Sequence, residues 1–158
     1  MQILFSQLKS YKRHQIKLTD KHELYVDEAG NVVGIPILFV HGGPGGACDA
    51  SSCRFYDPAV YRIITFDQRG CGRSTPHGEL ENNTIHDLIA DIEVIREFLD
   101  VDRWVLFSGS WGSTLSLLYS QAFPARMLVL ILRGIFLCRQ FDFDWLYKDG
   151  ARRIFPDF

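Results

Sequence analysis

The chain lacks any apolar run long enough to cross a bilayer: its longest, residues 127–132, stops far short of the roughly 20 residues a membrane helix needs. It also lacks the core of a secretory leader, since Ile3-Leu4-Phe5 is too brief to serve as one. The expectation is a soluble, cytoplasmic protein with no membrane partner. Cysteine is sparse and unpatterned: Cys48, Cys53, Cys71 and Cys138 form no C-x-x-C pair and no histidine stands at metal-ligand spacing from them. No metal is expected, and without a leader free thiols in a reducing compartment are expected rather than disulfides. An excess of one charge is missing too. Seventeen basic residues against nineteen acidic ones leave a net charge of −2, which gives no reason to expect nucleic acid or an anionic membrane as a partner. Repeats, low-complexity tracts and flexible linkers are absent. Histidine stops early: all five, His14, His22, His41, His77 and His86, lie in the first part of the chain.

What is present reads as one globular α/β unit. At 158 residues, 47% of them hydrophobic, the chain is long enough to bury a sizeable core. Two candidate strands, 14–18 and 23–27, precede the turn-rich Glu28-Ala29-Gly30-Asn31. Ile35-Pro36-Ile37-Leu38-Phe39-Val40 is then apolar on both faces, which places it in the middle of a covered sheet, and His41-Gly42-Gly43 ends it. The same grammar recurs at 61–66, ended by Asp67 and a glycine-rich loop, at 104–107, ended by Ser108-Gly109, and at 127–132, ended by Arg133-Gly134. Ile85, Leu88, Ile89, Ile92, Ile95 and Leu99 recur at three- and four-residue steps, the stripe of an amphipathic helix, with Thr84 and Asp87 as its capping pair. A second helix is expected from about Gly112 to Phe123, ending before Pro124, and a third segment, 141–155, mixes aromatic and charged residues in a candidate helix. Strands alternating with helices predict parallel pairing, with helices on both faces of a mostly parallel sheet. Ligands of such sheets bind outside the carboxyl ends of the strands. The loops at 41–46, 67–74 and 108–112 all fall at that edge and should converge on one crevice.

Ser108-Gly109-Ser110-Trp111-Gly112 carries the sharpest chemical signal. A nucleophile elbow needs a strand, a tight turn and a helix, so that the turn lifts the serine oxygen into the open. Ser110 is therefore the candidate nucleophile. The usual pattern is G-x-S-x-G, and Ser108 stands in its first place. The bland alternative is a Gly/Ser turn without chemistry. His41-Gly42-Gly43-Pro44-Gly45-Gly46 is suited to bringing backbone N–H groups near a developing oxyanion, and Gly43 with Trp111 is the expected donor pair. A phosphate cradle fits poorly, because no Lys-Ser/Thr follows and the glycine spacing fails the dinucleotide fingerprint. In Asp67-Gln68-Arg69-Gly70-Cys71-Gly72-Arg73-Ser74, Thr75 stands where a third glycine would complete a nucleotide loop, so a structural turn supporting the site is expected. His41, Gly42, Asp67, Gln68, Arg69 and Gly112 are read as support for the site, and Cys71 as a bystander.

In α/β-hydrolases the order along the chain is Ser, then Asp or Glu, then His. No histidine follows Ser110, and Asp142, Asp144, Asp149 and Asp157 follow it too closely for the late acid strand. The general base is expected to lie outside these residues, and His41 to orient its loop rather than to deprotonate Ser110.

Taken together, the three loops resemble the prolyl iminopeptidase family of serine exopeptidases. The resemblance is carried by His41-Gly42-Gly43-Pro44-Gly45-Gly46, by residues 67–77, by Glu81-Asn82-Asn83-Thr84, by Ser110-Trp111-Gly112-Ser113-Thr114-Leu115 and by Arg133-Gly134-Ile135-Phe136. It implies an α/β-hydrolase fold whose C-terminal strands and lid are missing here, with 1–138 the N-terminal part of the core and 139–158 the start of the lid. It further implies a metal-free, cofactor-free enzyme that releases N-terminal proline from peptides through an acyl-enzyme at Ser110. The Asp, the His and a helical lid with acidic residues for the free amine would come from beyond position 158. Ser108 in place of the family's glycine is a departure. Two other readings stay open: an esterase, thioesterase or amidase on the same fold, and a non-catalytic remnant. Residues 127–132 would form an apolar sheet edge, prone to pair with a second copy or a C-terminal fragment.

Overall fold

The computed structural model describes residues 4–18 and 21–156. Among these residues six strands form one sheet in the order β1-β2-β4-β3-β5-β6. They are β1 (Lys12–Lys17), β2 (Glu23–Gly30), β3 (Ile35–Val40), β4 (Tyr61–Phe66), β5 (Trp104–Ser110) and β6 (Met127–Ile135). The first two pair antiparallel with each other, and β2 pairs antiparallel with β4, whereas β4, β3, β5 and β6 run parallel. The strand apolar on both faces is interior: Leu38 pairs with Ile64 on one side and with Leu106 on the other.

Alternation along β3 divides its side chains between two cores. Leu38 and Val40 join Ile64, Phe66, Trp104 and Leu106 beneath the two long helices, α1 (Ile85–Phe98) and α2 (Trp111–Ala122). Ile37 and Phe39 join Ile63, Val105, Cys48 and Tyr56 on the opposite face, packed by Leu8 and by the turn around Cys53. Helix α1 buries Leu88, Ile92 and Ile95, and Leu115 and Tyr119 of α2 meet them. Its start is set by the expected capping box: the Thr84 N–H donates to Asp87 Oδ2 at 2.8 Å and the Asp87 N–H to Thr84 Oγ1 at 3.3 Å.

Strand β2 runs three residues further than its composition suggests, through Glu28-Ala29-Gly30. Glu28 is 2% exposed and bound by His14 at 2.8 Å and by Arg62 at 2.6 Å, so cross-strand pairing absorbs a residue that reads as a turn former. The turn falls instead at Asn31, whose Oδ1 accepts from the Val33 N–H at 3.1 Å. Among the described residues, strand β6 pairs only with β5 and leaves Leu128, Val129 and Ile131 each at least 40% exposed. After it come α3 (Gln140–Asp144), a π-helical turn (Trp145–Asp149) and α4 (Gly150–Ile154). No helix among the described residues is long and apolar enough to cross a membrane.

Candidate active site

Strand β5 ends at Ser110 and helix α2 begins at Trp111, with no residue between them. The reversal is concentrated in Ser110, which holds φ 55° and ψ −130°. That left-handed backbone costs a non-glycine residue on the order of 1–3 kcal/mol, and at this position it leaves the side chain exposed above the sheet. Gly112 makes the turn possible. A Cβ there would stand 2.3 Å from the Val40 carbonyl oxygen and 2.9 Å from that of His41, so only glycine lets the first turn of α2 abut the end of β3. Behind Ser110, the unbonded N–H groups of the helix start and the positive end of its dipole face the site.

The loop following β3 lies over this elbow. A Cβ on Gly42 would be 3.3 Å from Ser110 Cβ and 3.8 Å from its Oγ. Gly43 has φ +145°, and a Cβ there would collide with the N–H groups of Gly45 and Gly46 at 2.7 Å. His41 is buried, and the Gln68 backbone N–H donates to its Nε2 at 3.0 Å. The imidazole is therefore neutral, with its proton on Nδ1, which donates to the Gly42 carbonyl at 2.7 Å. Burial pushes the His41 pKa below the usual histidine range, against the Gly42 bond and the charge of Asp67.

The third loop is held from two sides. Burial alone would raise Asp67, but hydrogen bonds from Arg73 at 2.7 Å and from the Cys48 N–H at 2.8 Å keep its pKa below the ordinary carboxylate value. Arg69 grips Asp91 of α1 with two bonds, at 2.6 and 2.7 Å, and the Asn82 carbonyl at 2.6 Å. Gln68, 2% exposed, donates from Nε2 to the His41 carbonyl at 2.9 Å and accepts from the Trp111 indole N–H at 3.1 Å. The expected convergence is thus direct: hydrogen bonds link His41, Gln68 and Trp111, one from each loop. Cys71 stays aside, its thiol donating to the Arg69 carbonyl at 3.2 Å and its pKa raised by burial.

Beside Ser110 opens a cleft of about 440 Å³ walled by Ile135, Phe136, Phe141, Trp145 and Leu146. Its carboxylate, Asp142, is held near pKa 2, chiefly by Arg139 at 2.8 Å. Ile135 and Phe136 belong to a segment that carries the family resemblance, and the others to the expected start of the lid, but their meeting as a cleft beside Ser110 is a finding of the structure, at the Arg133-Gly134 strand end where such sheets bind ligands. Arg133 was also missed as a support: its side chain packs across Gly109, where a Cβ would lie 3.1 Å from its Cγ, and its guanidinium sits 5.4 Å from the Phe55 ring.

Among the described residues no histidine is hydrogen-bonded to Ser110 Oγ. His14 pairs with Glu28, His22 with the Glu81 carbonyl, and His77 and His86 are exposed. Of the later acids, Asp144 binds Lys148 at 2.6 Å, and Asp157 lies outside the described residues.

A parallel sheet, a positive-φ serine at a strand–helix elbow and a glycine loop folded over it define an α/β hydrolase. A family profile described as alpha/beta hydrolase fold matches residues 35–154, and the chain belongs to that family. Over 157 residues it is 52% identical to a proline iminopeptidase of Xanthomonas citri, covering 99% of this chain and 50% of that protein. A proline iminopeptidase of Arabidopsis thaliana is 50% identical over 154 residues, 98% of this chain and 40% of the relative. The crystal structure of a proline iminopeptidase-related protein from Thermus thermophilus superposes with a TM-score of 0.67 at 31% identity, covering 77% of this chain and 43% of that one. The chain thus spans about half the length, or less, of these relatives.

Proposed function

We propose that this chain is the nucleophile-bearing part of a serine exopeptidase that releases N-terminal proline from peptides. The observation that carries the reading is the elbow: Ser110 at φ 55°, exposed, under Gly42 and at the mouth of an aromatic cleft. The relatives named proline iminopeptidase supply the substrate class. Ser110 Oγ attacks the prolyl carbonyl carbon, and its proton passes to a base. The carbonyl π pair moves to oxygen, where the N–H groups of Gly43 and Trp111 receive it. Collapse of this intermediate breaks the C–N bond, and the departing amine of the next residue takes the proton. Water then cleaves the prolyl ester, releasing proline and regenerating Ser110. His41, Gly42, Asp67, Gln68, Arg69 and Gly112 hold the two donors in place. The base, its acid and further amine-binding groups belong, on this reading, to sequence equivalent to the half of the relatives that this chain does not match, and 139–158 begins the lid. Unpaired thiols fit a reducing compartment, and the proposed location is the cytoplasm.

The test is hydrolysis of a prolyl 4-nitroanilide by the full-length gene product. Ser110→Ala should abolish it, and retained cleavage would remove Ser110 as nucleophile. Faster turnover of aryl esters, thioesters or other amides would transfer the same site to another hydrolase class. A second reading keeps the crevice beside Ser110 as a non-catalytic binding module. Prompt stoichiometric labelling of Ser110 by a serine-directed phosphonate would count against it.

A further inference from the structure

The buried amide of Gln68 touches both halves of the oxyanion site and meets no reacting atom in the steps above; how it supports the two donors is specific. Its Oε1 accepts from the indole N–H of Trp111, the residue whose backbone N–H is one donor. Its Nε2 donates to the carbonyl of His41, the residue that opens the loop carrying the other donor, Gly43. Its own backbone N–H donates to His41 Nε2, which fixes the imidazole proton on Nδ1. Gln68 Nε2 and His41 Nδ1 lie 3.2 Å apart, but both carry protons in this arrangement, so that contact is a neighbour and not a bond. The His41 carbonyl that Gln68 holds is the same one that Gly112 abuts. One side chain from the end of β4 therefore ties the end of β3 to the start of α2. Burying an amide is costly unless it is fully bonded, and an apolar residue of similar volume would fill the space without that demand.

We propose that Gln68 is a positioning residue: by clamping the Trp111 indole to the His41 carbonyl it sets the separation of the Gly43 and Trp111 backbone donors. The inference rests on the serine-hydrolase reading and adds to it a residue that touches no reacting atom. Because the donors meet charge that develops only in the transition state, loosening the clamp acts on kcat and spares KM.

Trp111→Phe removes the indole N–H and leaves the backbone donor in place. Gln68→Glu keeps the acceptor and loses the donor toward His41, and Gln68→Met loses both. With the full-length protein and a prolyl 4-nitroanilide, each should lower kcat, by on the order of 100-fold for Gln68→Met, the loss that a donor misplaced by about 1 Å brings. KM should stay within about 2-fold of the unaltered protein. Trp111→Phe should add little in the Gln68→Met background, because the bond it removes is already gone. A kcat unchanged in Trp111→Phe, or additive losses in the double variant, overturns the clamp. Should Gln68→Met fail to fold, Trp111→Phe still decides. Turnover surviving Ser110→Ala strikes the serine-hydrolase reading and the clamp together. Turnover lost in Ser110→Ala but unchanged in Trp111→Phe strikes the clamp alone.

Discussion

Asp91→Ala should destabilise the protein far more than a typical polar substitution, because it takes the doubly bonded carboxylate from a buried cation. Asp91 is 1% exposed and Arg69 7%, and two short hydrogen bonds join them at 2.6 and 2.7 Å. An ion pair in water contributes little, but breaking a buried one leaves an uncompensated charge and costs about 3–5 kcal/mol. The bond from Arg69 Nη1 to the Asn82 carbonyl survives and places the expected loss nearer the lower figure. With an unfolding slope of about 2 kcal/mol per molar urea, the transition midpoint should fall by about 1.5–2.5 M. The assay is equilibrium urea unfolding followed by tryptophan fluorescence, with Glu81→Ala as the control. Glu81 meets Lys21 at the surface, and its loss should leave the midpoint where it was. The double variant Arg69→Met/Asp91→Leu should regain most of the stability, since a buried pair replaced by apolar groups leaves no stranded charge. A midpoint for Asp91→Ala indistinguishable from the control would refute the reasoning, as would a double variant weaker than the single one.

Three further outcomes follow from the same geometry. Burial makes folded His41 a weaker base than in the unfolded chain, so its contribution is complete above about pH 6.5 and lost as the pH falls through the lowered folded value; melting temperature should drop from neutral pH toward about pH 5, and a slope identical in His41→Gln would show that other groups cause it. Ser110→Gly should be more stable than Ser110→Ala by about 1 kcal/mol, because glycine adopts the φ 55° backbone without strain; equal melting temperatures would show that the elbow stores none. Val129→Lys puts a charge on the exposed edge of β6 and should reduce self-association measured by light scattering, with little change in melting temperature; undiminished association would move the contact off that edge.

Much of the fold is legible from local pattern. The apolar period of 85–99 and the Thr84–Asp87 pair locate α1, since a helix stripe and a cap are set by residues within one turn of each other. The double-faced apolarity of 35–40 locates the interior strand for a similar reason. The end of β2 was not legible: Glu28 reads as a turn residue until His14 and Arg62 meet it across the sheet, and those partners lie 14 and 34 residues away. Ser110 and Gly112 were legible because an elbow is five consecutive residues. The aromatic cleft was not, because its walls come from a strand end and a helix that only folding brings beside Ser110.

By itself, the sequence determined what contiguous residues decide: the alternation of strands and helices, the serine at a strand–helix turn, and glycines where the backbone must pass closely. Only the tertiary structure decided which bonds those elements make with one another. It set the His41 proton on Nδ1, paired Arg69 with Asp91, aimed the Trp111 indole at Gln68 and laid Arg133 across Gly109. The physical reason is range. Propensity and capping act over a few residues along the chain, whereas hydrogen bonds, burial and charge act over a few ångströms in space, and only the fold makes distant residues neighbours.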